Sequence, residues 1–166
     1  MKIYLVLTML IFSFMSRAQQ KNYEKDVTSP DAITESLYAV ISGEAGQPRD
    51  WDRFRNLFKL ESRLIPTRKG EGGELIIKSL TPEEYITLFN SRVSTGFFER
   101  KIHNVTETYG TVTHTFSTYE TKEKKMDLSA TVASTAFNCF MTVSGTMSLL
   151  FSGVLKAWDS LCPRNT

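Results

Sequence analysis

Two histidines, one helical tyrosine and a few carboxylates are the side chains of this 166-residue chain whose types and spacing could do acid–base chemistry. His103 and His114 stand on two runs, residues 97–108 and 111–121, that read as strands meeting at Tyr109-Gly110. With a two-residue turn there, Val105 opposes His114 and His103 opposes Phe116. His103, Val105, Val112, His114 and Phe116 then share one face, with the histidines as diagonal neighbours. A face carrying Val, Val and Phe is expected to turn inward. That would make His114 a general acid/base, or a hydrogen-bond donor to a ligand held against His103, Val105, Val112 and Phe116. Tyrosine is a poor residue for a positive φ, however. A type I turn with a bulge at Gly110 would shift the register by one and part the histidines. The plainer alternatives are a satisfied sheet histidine at 114 and a surface one at 103.

Tyr38 falls on a helix and can turn its hydroxyl toward the same interior, as partner to His114, or simply pack as a core tyrosine. Trp51 and Phe54 are most economically core residues, and otherwise the apolar lining of a ligand site. Asp50 reads as an N-cap before it reads as a catalytic carboxylate. Glu99 and Glu107 lie farther along the histidine face and make a weak metal signal, so no metal site is expected. No Gly-rich phosphate loop, Ser-His-Asp order or zinc spacing occurs, and no cofactor is expected.

The elements that must position these residues are legible from their boundaries. Ser29-Pro30-Asp31 supplies a cap, a proline for the first turn and an acid for the positive dipole end. Ile33, Leu37, Val40 and Ile41 then give an apolar stripe that stops at Gly43. Trp51, Phe54, Leu57 and Phe58 recur at helical spacing, predicting a short helix over 50–58. Residues 63–66 read as a strand ending at Pro66, 69–73 as a Gly-rich loop and 74–78 as a second strand. Thr81-Pro82-Glu83-Glu84 opens a third helix, to about residue 90, with a capping box. Helix, helix, hairpin, helix and long hairpin make an α+β pattern, with helices on one face of a curved antiparallel sheet.

Before these elements the chain reads as an export signal. Lys2 precedes an almost unbroken apolar run over 3–15, followed by Ser16-Arg17-Ala18. That run is too short for a spanning helix, which needs about 20 residues. Cleavage near Ala18, a flexible arm over 19–28 and a periplasmic or secreted destination are expected. Without Lys2 and Arg17 the 20 Lys+Arg fall to 18, against 18 Asp+Glu. A neutral mature chain gives no reason to expect nucleic acid, or a membrane after cleavage, as partner.

Several strings carry a resemblance: Ile33…Leu37-Tyr38-Ala39-Val40-Ile41-Ser42-Gly43, the segment 50–58, "SRLIPT" from Ser62, "GFFERKI" from Gly96 and "VTHTFSTYE" from Val112. Over roughly residues 31–120 the chain resembles the nuclear transport factor 2-like superfamily, the SnoaL-like and ketosteroid-isomerase cone fold. It looks like a small exported bacterial member whose activity is unassigned. The resemblance implies three helices on a sheet that wraps a conical cavity, with pairing through the open sheet face as a route to a homodimer.

The family ending, two more long strands with a Tyr-Asp-Gly turn, does not occur after Lys125. Residues 128–155 carry no charge, half of the 6 methionines and both cysteines lie after residue 125, and the apolar residues keep neither sheet nor helix period. Glu123-Lys124-Lys125-Met126 can be written GAA AAA AAG ATG. With one A added, the new frame reads as alternating strands with Tyr-Asp-Gly at a turn. The domain therefore reads as 29–125, incomplete, with 126–166 an atypical tail out of frame and the last two strands absent or replaced. Whether Cys139 and Cys162 pair stays open.

These readings support three expected functions. The first is an exported module holding a small apolar or amphipathic molecule in a cone-shaped cavity. The second is an isomerase, cyclase or hydratase using His114. The third is a non-functional product of a frameshifted gene.

Overall fold

The computed structural model describes residues 22–126, 130–141 and 147–153. After a single 3-10 turn (Glu24–Val27), helix α1 (Pro30–Ile41) starts where its sequence says it should. Ser29 Oγ accepts from the Ala32 amide at 3.1 Å and Pro30 occupies the first turn. α1 ends at Ser42, whose backbone is extended, and Gly43 is bridged to Phe97 by two backbone hydrogen bonds. Arg49 closes the connection onward, its guanidinium donating to the carbonyls of Ile41, Gly43 and Gln47. Helix α2 (Trp51–Asn56) is capped by Asp50, which accepts from Arg53 N at 3.2 Å. Asp50 is thus the N-cap expected.

α2 is shorter than its apolar spacing predicts, because strand β1 (Phe58–Ile65) begins almost at once. The Leu149 amide donates to Leu57 O at 2.8 Å, so sheet pairing overrides the helical period of Leu57 and Phe58. β2 (Thr67–Lys69) and β3 (Leu75–Ile77) form a small separate hairpin across the glycine loop. Helix α3 (Pro82–Arg92) carries the full Thr81/Glu84 capping box.

β4 (Phe98–Tyr109), β5 (Val112–Lys122), β6 (Thr131–Met141) and β7 (Met147–Gly153) complete a five-stranded sheet in the order β1-β7-β6-β5-β4. The pairs are antiparallel except β1 with β7, which is parallel. Of the two expectations for the last two strands, absent or replaced, the second holds. Residues of atypical composition stand in their place, and Thr, Val and Ala suffice for β6 because β5 offers it a long unpaired edge.

The core lies between the helices and one face of this sheet. Ile33, Leu37 and Ile41 from α1 meet Leu64, Tyr119 and Leu149 there. An aromatic chain runs beside them, with Phe54 stacked on Tyr85 at 5.4 Å and Trp51 edge-on to both Phe54 and Phe89. Trp51 and Phe54 thus sit in packing between α2 and α3.

Candidate functional site

The sheet buries the face opposite to the one its apolar residues mark. Thr113, Thr115, Ser117, Tyr119 and Thr121 of β5 are buried, while Val105, Val112 and Phe116 are exposed, Phe116 at 55%. Tyr109 pairs with Val112, so the turn is Gly110-Thr111, and Gly110 takes the φ of +59° that tyrosine would resist. Relative to a turn at Tyr109-Gly110 the register moves by two. That preserves which residues share a face. His103, Val105, Val112, His114 and Phe116 do lie together, but on the outside, because α1 covers the other side. The Tyr38 hydroxyl donates to Ser117 Oγ at 3.0 Å, and Lys101 and Asn104 reach Asp31 at 2.9 Å. The buried hydroxyl row satisfies itself across strands, Thr106 with Thr115 and Thr108 with Thr113, each at 3.1 Å.

The two histidines are not neighbours. His103 opposes Thr118, and His114 opposes Glu107. His114 is half-buried on the outer face, its Nδ1 2.8 Å from Asn138 Oδ1 and its ring edge-on to Phe116 at 4.5 Å. An amide oxygen only accepts, which assigns the proton to Nδ1. A bulge between Lys101 and His103 switches the parity of β4. Glu99 therefore faces inward, not outward with His103 as the unbroken alternation predicts.

That inversion creates the most unusual group in the molecule. Glu99 is 7% exposed; its Oε1 accepts from Thr121 Oγ1 at 3.1 Å, and its Oε2 has no hydrogen-bond partner. Burial pushes this carboxyl up to about 8, against the Thr121 hydrogen bond, which works the other way. The surroundings are phenolic. Tyr38 and Tyr85 are both held well above the ordinary tyrosine range, chiefly by burial and further by the nearby Glu99 charge. The Tyr38 ring lies 5.3 Å from that of Tyr119. At neutral pH Glu99 is thus a neutral acid, with one oxygen fixed by Thr121 and the other uncommitted. Such a group can donate a hydrogen bond to a ligand or exchange a proton with it.

Two grooves open along the seam between α1 and β4, and Glu99 borders both. The smaller, about 260 Å³, passes Glu35, Tyr38 and Lys101. The larger, about 610 Å³, runs past Ala39, Ser42 and Phe98 to Arg100, Glu120 and Lys122. A third groove, about 270 Å³, lies beside Trp51 and Phe89. Of the residues read from the sequence, Tyr38 reaches this seam, Trp51 the third groove, and Phe54 is sealed in the core. Glu99 was the residue the spacing concealed. Its only signal was an acid directly after Phe97-Phe98, and one bulge decides its side. Among the described residues no three His, Cys, Asp or Glu side chains converge as metal ligands. Cys139 is buried with its thiol pushed up to about 11, and Cys162 lies outside the described residues.

No protein-family model matches the chain, nor does any curated protein sequence. Solved structures do. A cystatin-like-fold protein of unknown function from Nostoc punctiforme superposes with a TM-score of 0.53 at 13% identity, over 77% of this chain and 92% of that one. A suggested ketosteroid isomerase from Shewanella frigidimarina gives 0.50 at 10% identity, over 76% and 94%. A nuclear transport factor 2-like protein of unknown function from Silicibacter pomeroyi gives 0.46 at 13%, over 75% and 88%. The chain shares the α+β fold of the first two structures, helices packed on one face of a five-stranded sheet. At such identities the likeness concerns architecture and leaves the chemistry to the site.

Proposed function

We propose that the chain is an exported binding module that holds a small amphipathic molecule in the seam between α1 and β4. The observation that carries the reading is the buried carboxyl of Glu99, a residue that borders both grooves and has one oxygen without a partner. An uncommitted buried polar atom costs about 1–3 kcal/mol, which a ligand hydrogen bond would recover. Export rests on Lys2, the apolar run and Ser16-Arg17-Ala18. A thermal-shift screen of small amphipathic compounds tests the module. Hits whose shift is lost in Glu99→Leu support it, and a screen without hits overturns it. Processing is checked by the mass of the exported protein, expected to begin at Gln19.

The isomerase-type reading relied on an inward His114 and loses that support with the ring on the outer face. A second reading keeps a specific observation behind it: the break in composition at the adenine-codable stretch Glu123-Lys124-Lys125. In that reading residues 126–166 are translated out of frame, and the module in its natural form carries a different pair of closing strands.

A further inference from the structure

The larger seam groove has an uneven charge. Arg100 and Lys122 share one carboxylate, Glu120, at 2.9 Å and 3.5 Å, and Lys125 also lines the groove. Glu120 is 17% exposed and already committed to both partners, so it cannot neutralise a third cation. The other acid bordering the groove is Glu99, which its burial keeps uncharged at neutral pH. Three cations therefore face one anion across the groove. Its floor differs in kind: half-buried Phe98 and the exposed methyl of Ala39 lie between the charged strand ends and the Ser42 turn. An apolar floor with an unbalanced positive end is a match for a molecule that is itself split in that way.

We infer that this groove takes an amphipathic monoanion, its head held among Arg100, Lys122 and Lys125 and its apolar body along Phe98 and Ala39. The assignment rests on the binding-module reading and adds the chemical class of the ligand. A carboxylate or sulfonate head would draw the surplus cations together, and Glu120 would keep one of them oriented. A cationic head would meet Arg100, Lys122 and Lys125 with one carboxylate to offset them. A neutral head would gain from the floor alone.

Octanoate, octan-1-ol and octylammonium carry one tail with three heads and so separate these cases. Their binding to the full chain is read from backbone amide shifts at Phe98, Arg100 and Lys122. The expected order is octanoate, then octanol, then octylammonium, with the octanoate advantage shrinking as salt rises. The double variant Lys122→Ala/Lys125→Ala should weaken octanoate about fivefold to tenfold, the scale of two partly exposed ion contacts, and leave octanol unchanged. Octanol or octylammonium binding as tightly as octanoate would overturn the anion assignment while leaving a binding module. So would an octanoate affinity indifferent to both lysines. Failure of all three probes to move these amides would overturn the binding-module reading with it.

Discussion

Glu99 and His114 exchange the roles their neighbourhoods in the sequence imply, and each makes a prediction. Glu99 has its folded pKa raised to about 8. The unfolded chain releases that proton near the ordinary glutamate value of about 4.3, so between there and about 8 the folded state holds more protons than the unfolded one. Stability must then fall as pH rises through that window, by at most about 1.4 kcal/mol per pH unit, and level off above it. Glu99→Gln cannot titrate and should lose this component. Urea denaturation of both proteins across the window is the measurement. The stability difference should grow in favour of Glu99→Gln with pH, and parallel profiles would show that Glu99 is not held neutral. His114→Ala makes the opposite case. The ring lies farther along β5 than Glu120 and Lys122 and does not line their groove, so the substitution should leave octanoate affinity unchanged and shift stability by no more than about 1 kcal/mol. Loss of ligand binding in His114→Ala would place the site farther along β5 than the groove beside Glu120 and Lys122.

At the scale of elements, the legible features had local chemistry to announce them. Ser29-Pro30, Asp50 and Thr81…Glu84 mark helix starts through side chains that bond their own first turn, and all three caps are present. Thr81→Ala removes the oxygen that accepts from Glu84 N at 3.2 Å. It should cost about 1 kcal/mol, seen as a melting temperature lower by roughly 3 °C. The misreadings came where a partner far along the chain decides. Phe58-Lys59-Leu60-Glu61 does alternate, but Phe58 also fits the helical spacing from Trp51 and Leu60 is 91% exposed; pairing of Phe58 with Leu149 of β7 decides for the sheet. The long hairpin was legible as an element and as a pair of faces, because period two survives a register shift of two. Its inward side was not legible. Taking the Val and Phe face as buried assumes an apolar interior, whereas here α1 brings Tyr38, Asp31 and Glu35 to meet serine, asparagine and lysine. The bulge before His103 has no residue signature, and it alone puts Glu99 inside.

Across the whole molecule the sheet divides into two parts of different origin in the sequence. β4 and β5 belong to the stretch that resembles cone-fold proteins, while β6 and β7 are drawn from residues without that resemblance. Backbone pairing is complete along β5, from Val112 opposite Phe140 to Thr121 opposite Thr131, because hydrogen bonding does not depend on side-chain identity. Side-chain complementarity is poorer. β6 presents Ala133 and Thr135 to the interior opposite Tyr119 and Ser117, and leaves Val132 60% exposed on the outer face. In the proposed out-of-frame reading, the small residues against Tyr119 bury less apolar area than the alternating strands of the other frame would, at about 25 cal/mol per Å² lost. A gene carrying the longer adenine run should therefore yield a protein that melts several degrees higher than the chain ending at Thr166, with the same strand order. Resequencing across Glu123–Met126, together with the intact mass of the native protein, decides the frame, and the melting comparison decides its structural meaning. An unchanged run with a mass that ends at Thr166 would establish β6 and β7 as the protein's own closing strands. Equal melting temperatures for the two chains would show that the sheet draws its stability from pairing and α1 contacts rather than from the identity of its last strands.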